Sequence, residues 1–394
     1  MNFRISITLL IIMFATICMG QRRQLQEARV ILKGDKDYDK AEKLMTDLLK
    51  DSSNLNNTRI YNMWLSAVEK QYGQINIQMY KKEVVDTTHL FELTRRMFAI
   101  GTRLDSLDMR PDKKGRVNPE FRKENAQRLI AYRPNLFYGG AYYLRKDELQ
   151  TAYNFFEQYI DCGRQPLFDG YDLLNTDERM GEAAYWSTYC GYRMDDPVLS
   201  LRYATLAQRD SAKMEPILQY TAEAWRKLKD QEMYAKTLRE GFERFPQSPY
   251  FFPRLMDIYS AKGNYEKALT FADEALSSDS TNTLFLLAKS TMLLNLGRYA
   301  ECLDYSKRLI AQDGMAAEGF YNAGTACLNI ALRMDSRKHK KQITKMYQQA
   351  LPYMETYRKL APQETQKWGD ALYRIYFNLN MGKQFDEIDK ILKK

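Results

Sequence analysis

The stretch AKGNYEKALTFADEALSSDS, Ala261 to Ser280, sets a glycine, lysines and carboxylates at close spacing. Two chemistries could use such a set. A phosphate-cradling loop needs G-x-x-x-x-G-K-[ST] between a strand and a helix, so that backbone N–H groups surround the anion. Gly263 is followed by NYEKALT, without a second glycine, and no strand pattern precedes it. It reads as the left-handed turn residue between two helices. A carboxylate pair can do general acid/base work where a pocket fixes the separation of the two groups. Glu266, Asp273 and Glu274 fall instead on the outward faces of one predicted helix, among lysines, as solvated charges do.

Other catalytic material is scarce. The chain has only two histidines, His89 in an amphipathic pattern and His339 in a basic run. Neither has a second ligand at metal spacing, and a Ser-His-Asp arrangement has little to draw on. The expectation is no enzyme, no cofactor and no metal.

The elements that position these residues are helical. The 394 residues are 45% hydrophobic and 28% charged, with only 19 glycines and 11 prolines and no long linker, which favours helix throughout. MNFRISITLLIIMFATICMG at the start has one basic residue, an apolar run and small residues before QRRQLQEA. That is a signal-peptide pattern, with Cys18 and Gly20 at −3 and −1 of a cut before Gln21. The alternative is a retained anchor, for which the apolar run is short. No later segment reads as a membrane span. An exported chain can form disulfides, and Cys162, Cys190, Cys302 and Cys327 allow three pairings. None has C-x-x-C spacing, and isolated buried thiols are the preferred reading.

The sequence repeats with a period of 34. Gly263 maps onto Gly297, Tyr265 onto Tyr299, Ala268 onto Cys302 and Leu276 onto Ile310. Leu218, Phe252, Leu286 and Phe320 form one column; Trp225, Tyr259, Leu293 and Cys327 form another; Ala222, Met256, Ser290 and Gly324 form a third, mostly small. These residues resemble the tetratricopeptide repeat, a helix pair with large residues at positions 4, 11 and 17 and small ones at 8, 20 and 27. The resemblance implies an all-α fold, a right-handed solenoid of antiparallel helix pairs, because one pair cannot bury its apolar face alone. It is strong from Glu215 to Pro362, moderate from Arg133 to Ala212, and weak before that.

The expected organisation is a signal peptide over 1–20, then an N-terminal helical region over 21–132 with one repeat-like unit and an enlarged helical insert. Repeat-like units follow over 133–214, a regular array over 215–364 and capping helices over 365–394. An insertion of 14 residues near 333–344 delays one second helix, so that Ala350 takes the place expected at Ser336. The layout also resembles exported envelope proteins of Gram-negative bacteria.

Stacked helix pairs of this family curve around a groove, toward which positions 2, 5, 9, 12 and 13 of each first helix point. By that resemblance the groove takes Phe137, Ala141 and Arg145; Gln219, Glu223, Arg226 and Lys227; Asp257; Thr291 and Asn295; and Tyr321, Thr325 and Asn329. The lysine and asparagine with which some members hold a C-terminal carboxylate have no counterpart here. Most of the 28 tyrosines, such as Tyr143, Tyr259, Tyr265 and Tyr299, fall at wedge positions and are expected in the core.

Charge is uneven. Residues 95–128 carry ten Lys/Arg against five Asp/Glu, and residues 333–345 carry six against one, each a net +5 within a chain of +9. Export and the lack of a nucleic-acid motif argue against nucleic acid, leaving solvated surface or an anionic envelope surface met by Arg337, Lys338, Lys340 and Lys341. The function these readings point to is a periplasmic or outer-membrane-associated scaffold that binds a protein or peptide in its groove. A glycan-handling accessory protein is the alternative.

Overall fold

The computed structural model describes residues 22–34 and 36–393. The proposed signal peptide and the cut before Gln21 lie outside them. Every long element is a helix, and among the described residues there is no strand. The all-α expectation holds.

The chain divides into two compact units, one up to Asp230 and one from Gln231. The first holds α1 (22–33), α2 (Tyr38–Leu48), α3 (Thr58–Tyr80), α4 (Thr87–Asp108), α5 (Arg122–Ile130), α6 (Pro134–Arg145), α7 (Leu149–Asp161), α8 (Leu173–Thr176), α9 (Met180–Arg193), α10 (Pro197–Arg202), α11 (Ala204–Ala207) and α12 (Met214–Lys227). The second holds α13 (Gln231–Arg244), α14 (Phe251–Ser260), α15 (Tyr265–Ser278), α16 (Thr283–Asn295), α17 (Tyr299–Gln312), α18 (Ala317–Arg333), α19 (Lys340–Leu360), α20 (Thr365–Asn378) and α21 (Gly382–Leu392). Within each unit most helices pack on the next, and first helices also meet, α4 on α6 and α16 on α18.

The period is visible in the backbone. Asp195, Lys229, Gly263 and Gly297, each 34 residues apart, all have positive φ, at 64°, 60°, 79° and 71°. At three of the four the helix ends in one hydrogen-bond pattern. The N–H of Asp195 donates to Tyr192 O and that of Asp196 to Gly191 O; Lys229 and Asp230 do the same to Arg226 and Trp225, and Gly297 and Arg298 to Leu294 and Leu293. That double closure satisfies carbonyls left open at a helix C-terminus. Gly263 differs, because α14 ends in a 3₁₀ turn over Ala261–Gly263.

The columns pack as expected. Leu218, Phe252 and Leu286 are buried, as are Ala222, Met256, Ser290, Leu293 and Cys327. Phe242, Phe252, Phe271 and Phe285 form the aromatic centre of the second unit, with ring centroids 4.5–6.1 Å apart. The tyrosine expectation needs correction. Tyr143 is buried, but Tyr259, Tyr265 and Tyr299 are half-exposed. Tyr259 lies on Phe271 with Lys267 over its face, and Tyr299 carries Arg333 in the same way.

The late second helix takes a definite form. The inserted residues lengthen both helices, to 17 residues in α18 and 21 in α19, and leave a short connection over 334–339. Ala350 is fully buried. The stretch from Asn56 to Arg133, which loses the period, forms a long hairpin of 23 and 22 residues, α3 and α4, followed by α5.

Candidate functional site

Asp273 pairs with Lys289, Glu274 pairs with Arg239, and Glu266, Asp273 and Glu274 are all exposed on α15. Among the described residues no group of three or more His, Cys, Asp and Glu could hold a metal ion.

The residues expected to line a groove divide into two sets. In the first unit one is buried in the core and most of the others bond to neighbours on the surface. Phe137 is buried against Phe156 and Tyr159, with centroids 5.6 and 5.7 Å away, so it belongs to the core and not to a groove. The cause is Gly140 on the next turn of α6, which lets the Phe156 ring come within 2.7 Å of where a Cβ would sit. Arg145 is exposed. On α12, Gln219 donates to Glu215 at 3.2 Å, Arg226 pairs with Glu223 at 2.7 Å, and Lys227 pairs with Asp195.

In the second unit the same rule finds a cavity. Asp257 is exposed on α14, and Thr291 accepts a hydrogen bond from the buried Asn322 at 3.0 Å. Further on, Tyr321, Thr325 and Asn329 line one side of an open cavity of about 650 Å³. Leu328 and Leu332 give α18 an apolar edge there, and α20 forms the facing side with Gln366, Asp370 and Arg374. The Tyr321 ring rests on Tyr357, 5.1 Å between centroids, and Lys367 lies 5.5 Å over its centroid. Lys367 also pairs with Glu364 at 3.2 Å, a hydrogen bond that holds its pKa above the ordinary lysine value. Asn329 donates to Thr325 O at 2.9 Å, which fixes its amide. The arrangement offers hydrogen bonds, two acids, Glu364 and Asp370, two cations, Lys367 and Arg374, and an apolar edge.

No family model matches the sequence, and no curated protein matches it. Among solved structures it is similar to the C-terminal part of a TPR repeat-containing protein from Cytophaga hutchinsonii, 13% identical, over 64% of this chain and 93% of that one, with a TM-score of 0.43. It is also similar to yeast Tom70, 11% identical over 91% and 89% of the two chains, TM-score 0.35. A third is the P58(IPK) TPR domain, 11% identical over 92% and 99%, TM-score 0.29. Scores this low carry no residue roles across.

Half of the cavity was missed in the sequence. Gln366, Asp370 and Arg374 repeat every four residues along α20, and that stripe was the available signal. It belongs to a segment read only as a loose cap.

The two basic segments also differ. In 95–128, Arg95, Arg96, Arg116, Arg122 and Arg128 pair with Glu92, Glu42, Asp112, Asp105 and Glu69. In 333–345, Arg333 is held by Gly297 O at 3.0 Å and the Tyr299 ring. Among the described residues Arg337, Lys338, Lys340, Lys341 and Lys345 make no ion pair, and all five are exposed.

The remaining aromatics include a surface group. Tyr189 and Tyr192 on α9 meet Tyr220 on α12, with Tyr192 stacked on it at 4.5 Å, and Trp186 meets Tyr189 edge-on. Tyr192 is exposed and the other three are half-buried.

Proposed function

We propose that this chain is a non-catalytic scaffold, exported to the periplasm or the outer membrane of a Gram-negative envelope, that holds a segment of a partner protein. The observation that carries the reading is the cavity between α18 and α20, with Tyr321, Thr325 and Asn329 facing Gln366, Asp370 and Arg374. Binding would bury part of an extended or helical segment against helices already in place, with little backbone change. The solved neighbours titled as TPR proteins are consistent with it. Export rests on the pattern of residues 1–20, and after a cut before Gln21 no segment reads as a membrane span.

A photo-crosslinking amino acid at Thr325 tests the binding reading in the native cell, with one at the exposed Asp304 of α17 as control. The expected outcome is a discrete protein adduct from Thr325 alone. Equal labelling from both positions, or none, would reject the groove. Intact mass of the protein from the envelope fraction tests export; a chain beginning at Met1 in the cytosolic fraction contradicts it.

One observation favours the glycan-binding alternative, the run Trp186, Tyr189, Tyr192 and Tyr220, because partly exposed rings can stack on sugar faces. Titration of Trp emission with soluble oligosaccharides checks it; no change in wild type or in Tyr192→Ala removes that reading.

A further inference from the structure

The cations at the start of α19 stand where a helix least tolerates them. A helix N-terminus carries partial positive charge and is stabilised by acidic residues. The first turn of α19 has no acidic residue, and its N-cap, His339, makes no capping hydrogen bond. Instead Lys340 and Lys341 occupy that turn, with Arg337 and Lys338 just before it and Lys345 one turn on. The only acid in the segment, Asp335, is occupied by the Arg337 backbone N–H at 2.9 Å. Local rules broken without a compensating partner are expected at functional positions.

This patch follows one wall of the cavity in the chain. The lining of α18 runs from Tyr321 to Leu332, and the connection that carries Arg337 and Lys338 begins two residues later. On the facing side Arg374 lies near enough to Tyr347, two turns into α19, for its charge to act on that hydroxyl. The cavity is thus apolar at Leu332 and cationic at Arg374, and the cations of 337–341 follow Leu332 in the chain.

We infer that the segment held between α18 and α20 carries a run of acidic residues, which the cations of 337–345 and Arg374 bind as it leaves the cavity past Leu332. This rests on the scaffold reading above and adds the chemistry of the partner. The register follows from geometry. Eleven residues of helix from Tyr321 to Leu332 span about 16 Å, which an extended chain covers in about five residues. The acidic run thus begins about five positions from the residue seated on Tyr321. An anionic membrane is the weaker occupant, because Asp370 lies within the cavity and the lining of Thr325, Asn329 and Gln366 suits a single polar chain.

The test is selection of a phage-displayed library of random peptides about sixteen residues long on the full exported chain. It is repeated on Arg337→Glu/Lys338→Glu/Lys340→Glu/Lys341→Glu and on Tyr321→Ala. The four reversals lie on exposed side chains and suit the helix end better, so folding is checked simply by circular dichroism. Peptides selected on wild type should share an acidic run about five positions from an aromatic or apolar residue. A synthetic peptide of that pattern should bind at least ~10-fold more weakly to the reversed protein, with a shallower dependence on salt. Selected peptides without acidic enrichment, or binding to the reversed protein within about twofold, overturn the inference; the groove reading survives if Tyr321→Ala still abolishes binding. Failure to enrich any peptide rejects both. Co-sedimentation with phosphatidylglycerol vesicles, lost on reversal while peptides show no acidic preference, assigns the patch to a membrane and overturns the inference.

Discussion

Arg133 and Asp177 form an ion pair from which water is nearly excluded, with side chains only 6% and 14% exposed. Arg133 stands just before α6 and Asp177 three residues before α9, so the pair, 44 residues apart in the chain, ties the two helix starts together. Arg133 is fully engaged: Nη2 donates to Tyr159 O at 3.1 Å, Nε to Cys162 Sγ at 3.0 Å, and its plane lies over the Tyr159 ring. Tyr159 completes the set by donating its hydroxyl to Asp177 at 2.6 Å. Replacing Arg133 by Met leaves a carboxylate with little water, and should cost about 3–5 kcal/mol. Urea denaturation followed by Trp emission reads this, since Trp64, Trp186 and Trp225 all lie in the first unit.

The same pair sets an acid limit. Burial alone would raise the Asp177 pKa, but hydrogen bonds from Tyr159 and Arg133 and the guanidinium charge outweigh it and hold it below the usual carboxylate value. A carboxyl with a depressed folded-state pKa contributes stability above its unfolded pKa, near ~3.9, and loses it as pH falls through the folded value. Asp177→Asn should therefore be less stable than wild type at pH 6, with the gap closing toward pH 3. A gap that stays constant over that range would contradict the linkage.

The turns at period 34 give a prediction of opposite signs. Lys229 holds φ at 60°, where an L side chain crowds its own carbonyl, whereas Gly263 holds 79° with nothing within 4 Å of a Cβ. Lys229→Gly should raise stability by about 0.5–1 kcal/mol, and Gly263→Ala should lower it by a similar amount. Thermal midpoints of the two variants should move apart from wild type in those directions.

How much could be read beforehand follows from what each residue does alone. Gly263 and Gly297 betray positive φ because glycine suits it, and Asp195 gives a weaker sign of the same kind; Lys229 takes the same turn as Gly297, and its residue type announces nothing. Tyr321, Thr325 and Asn329 were selected by the inward positions that the family resemblance implies, and all three line the cavity. Phe137 was misplaced by the same rule, because Gly140 draws Phe156 inward and closes the space. The facing stripe on α20 was lost because the repeat columns fade there. A charge count set 95–128 and 333–345 equal, yet pairing depends on the fold: among the described residues five cations of 95–128 have ion-pair partners and those of 333–345 have none.

Among the described residues the four thiols are free and buried, as the spacing argument preferred. Burial pushes Cys162, Cys302 and Cys327 up to about 11 and Cys190 to about 12. Thiolate is the reactive form, so the folded protein at pH 8 should react with an aromatic disulfide reagent only through unfolding. In denaturant all four should react at once. Rapid labelling of any of them under native conditions would show that the core opens there.

Gly191 is where the repeat bends its own rule. Its equivalents are Trp225, Tyr259, Leu293 and Cys327, larger residues that hold the second helix away. Here a Cβ would stand 2.3 Å from Ser200 N and 2.6 Å from Leu199 C, both backbone atoms. The second helix therefore lies directly on α9, and it breaks at Tyr203 into α10 and α11, with Tyr203 1% exposed. No rotamer change can relieve a clash with backbone. Gly191→Ala should cost at least about 1–3 kcal/mol, despite the better helix propensity of alanine. Gly73, on α3 with nothing within 4 Å of a Cβ, is the control, and Gly73→Ala should be neutral or stabilising by up to about 1 kcal/mol. Comparable midpoints for the two variants in urea would show that α10 can shift away from α9 at little cost.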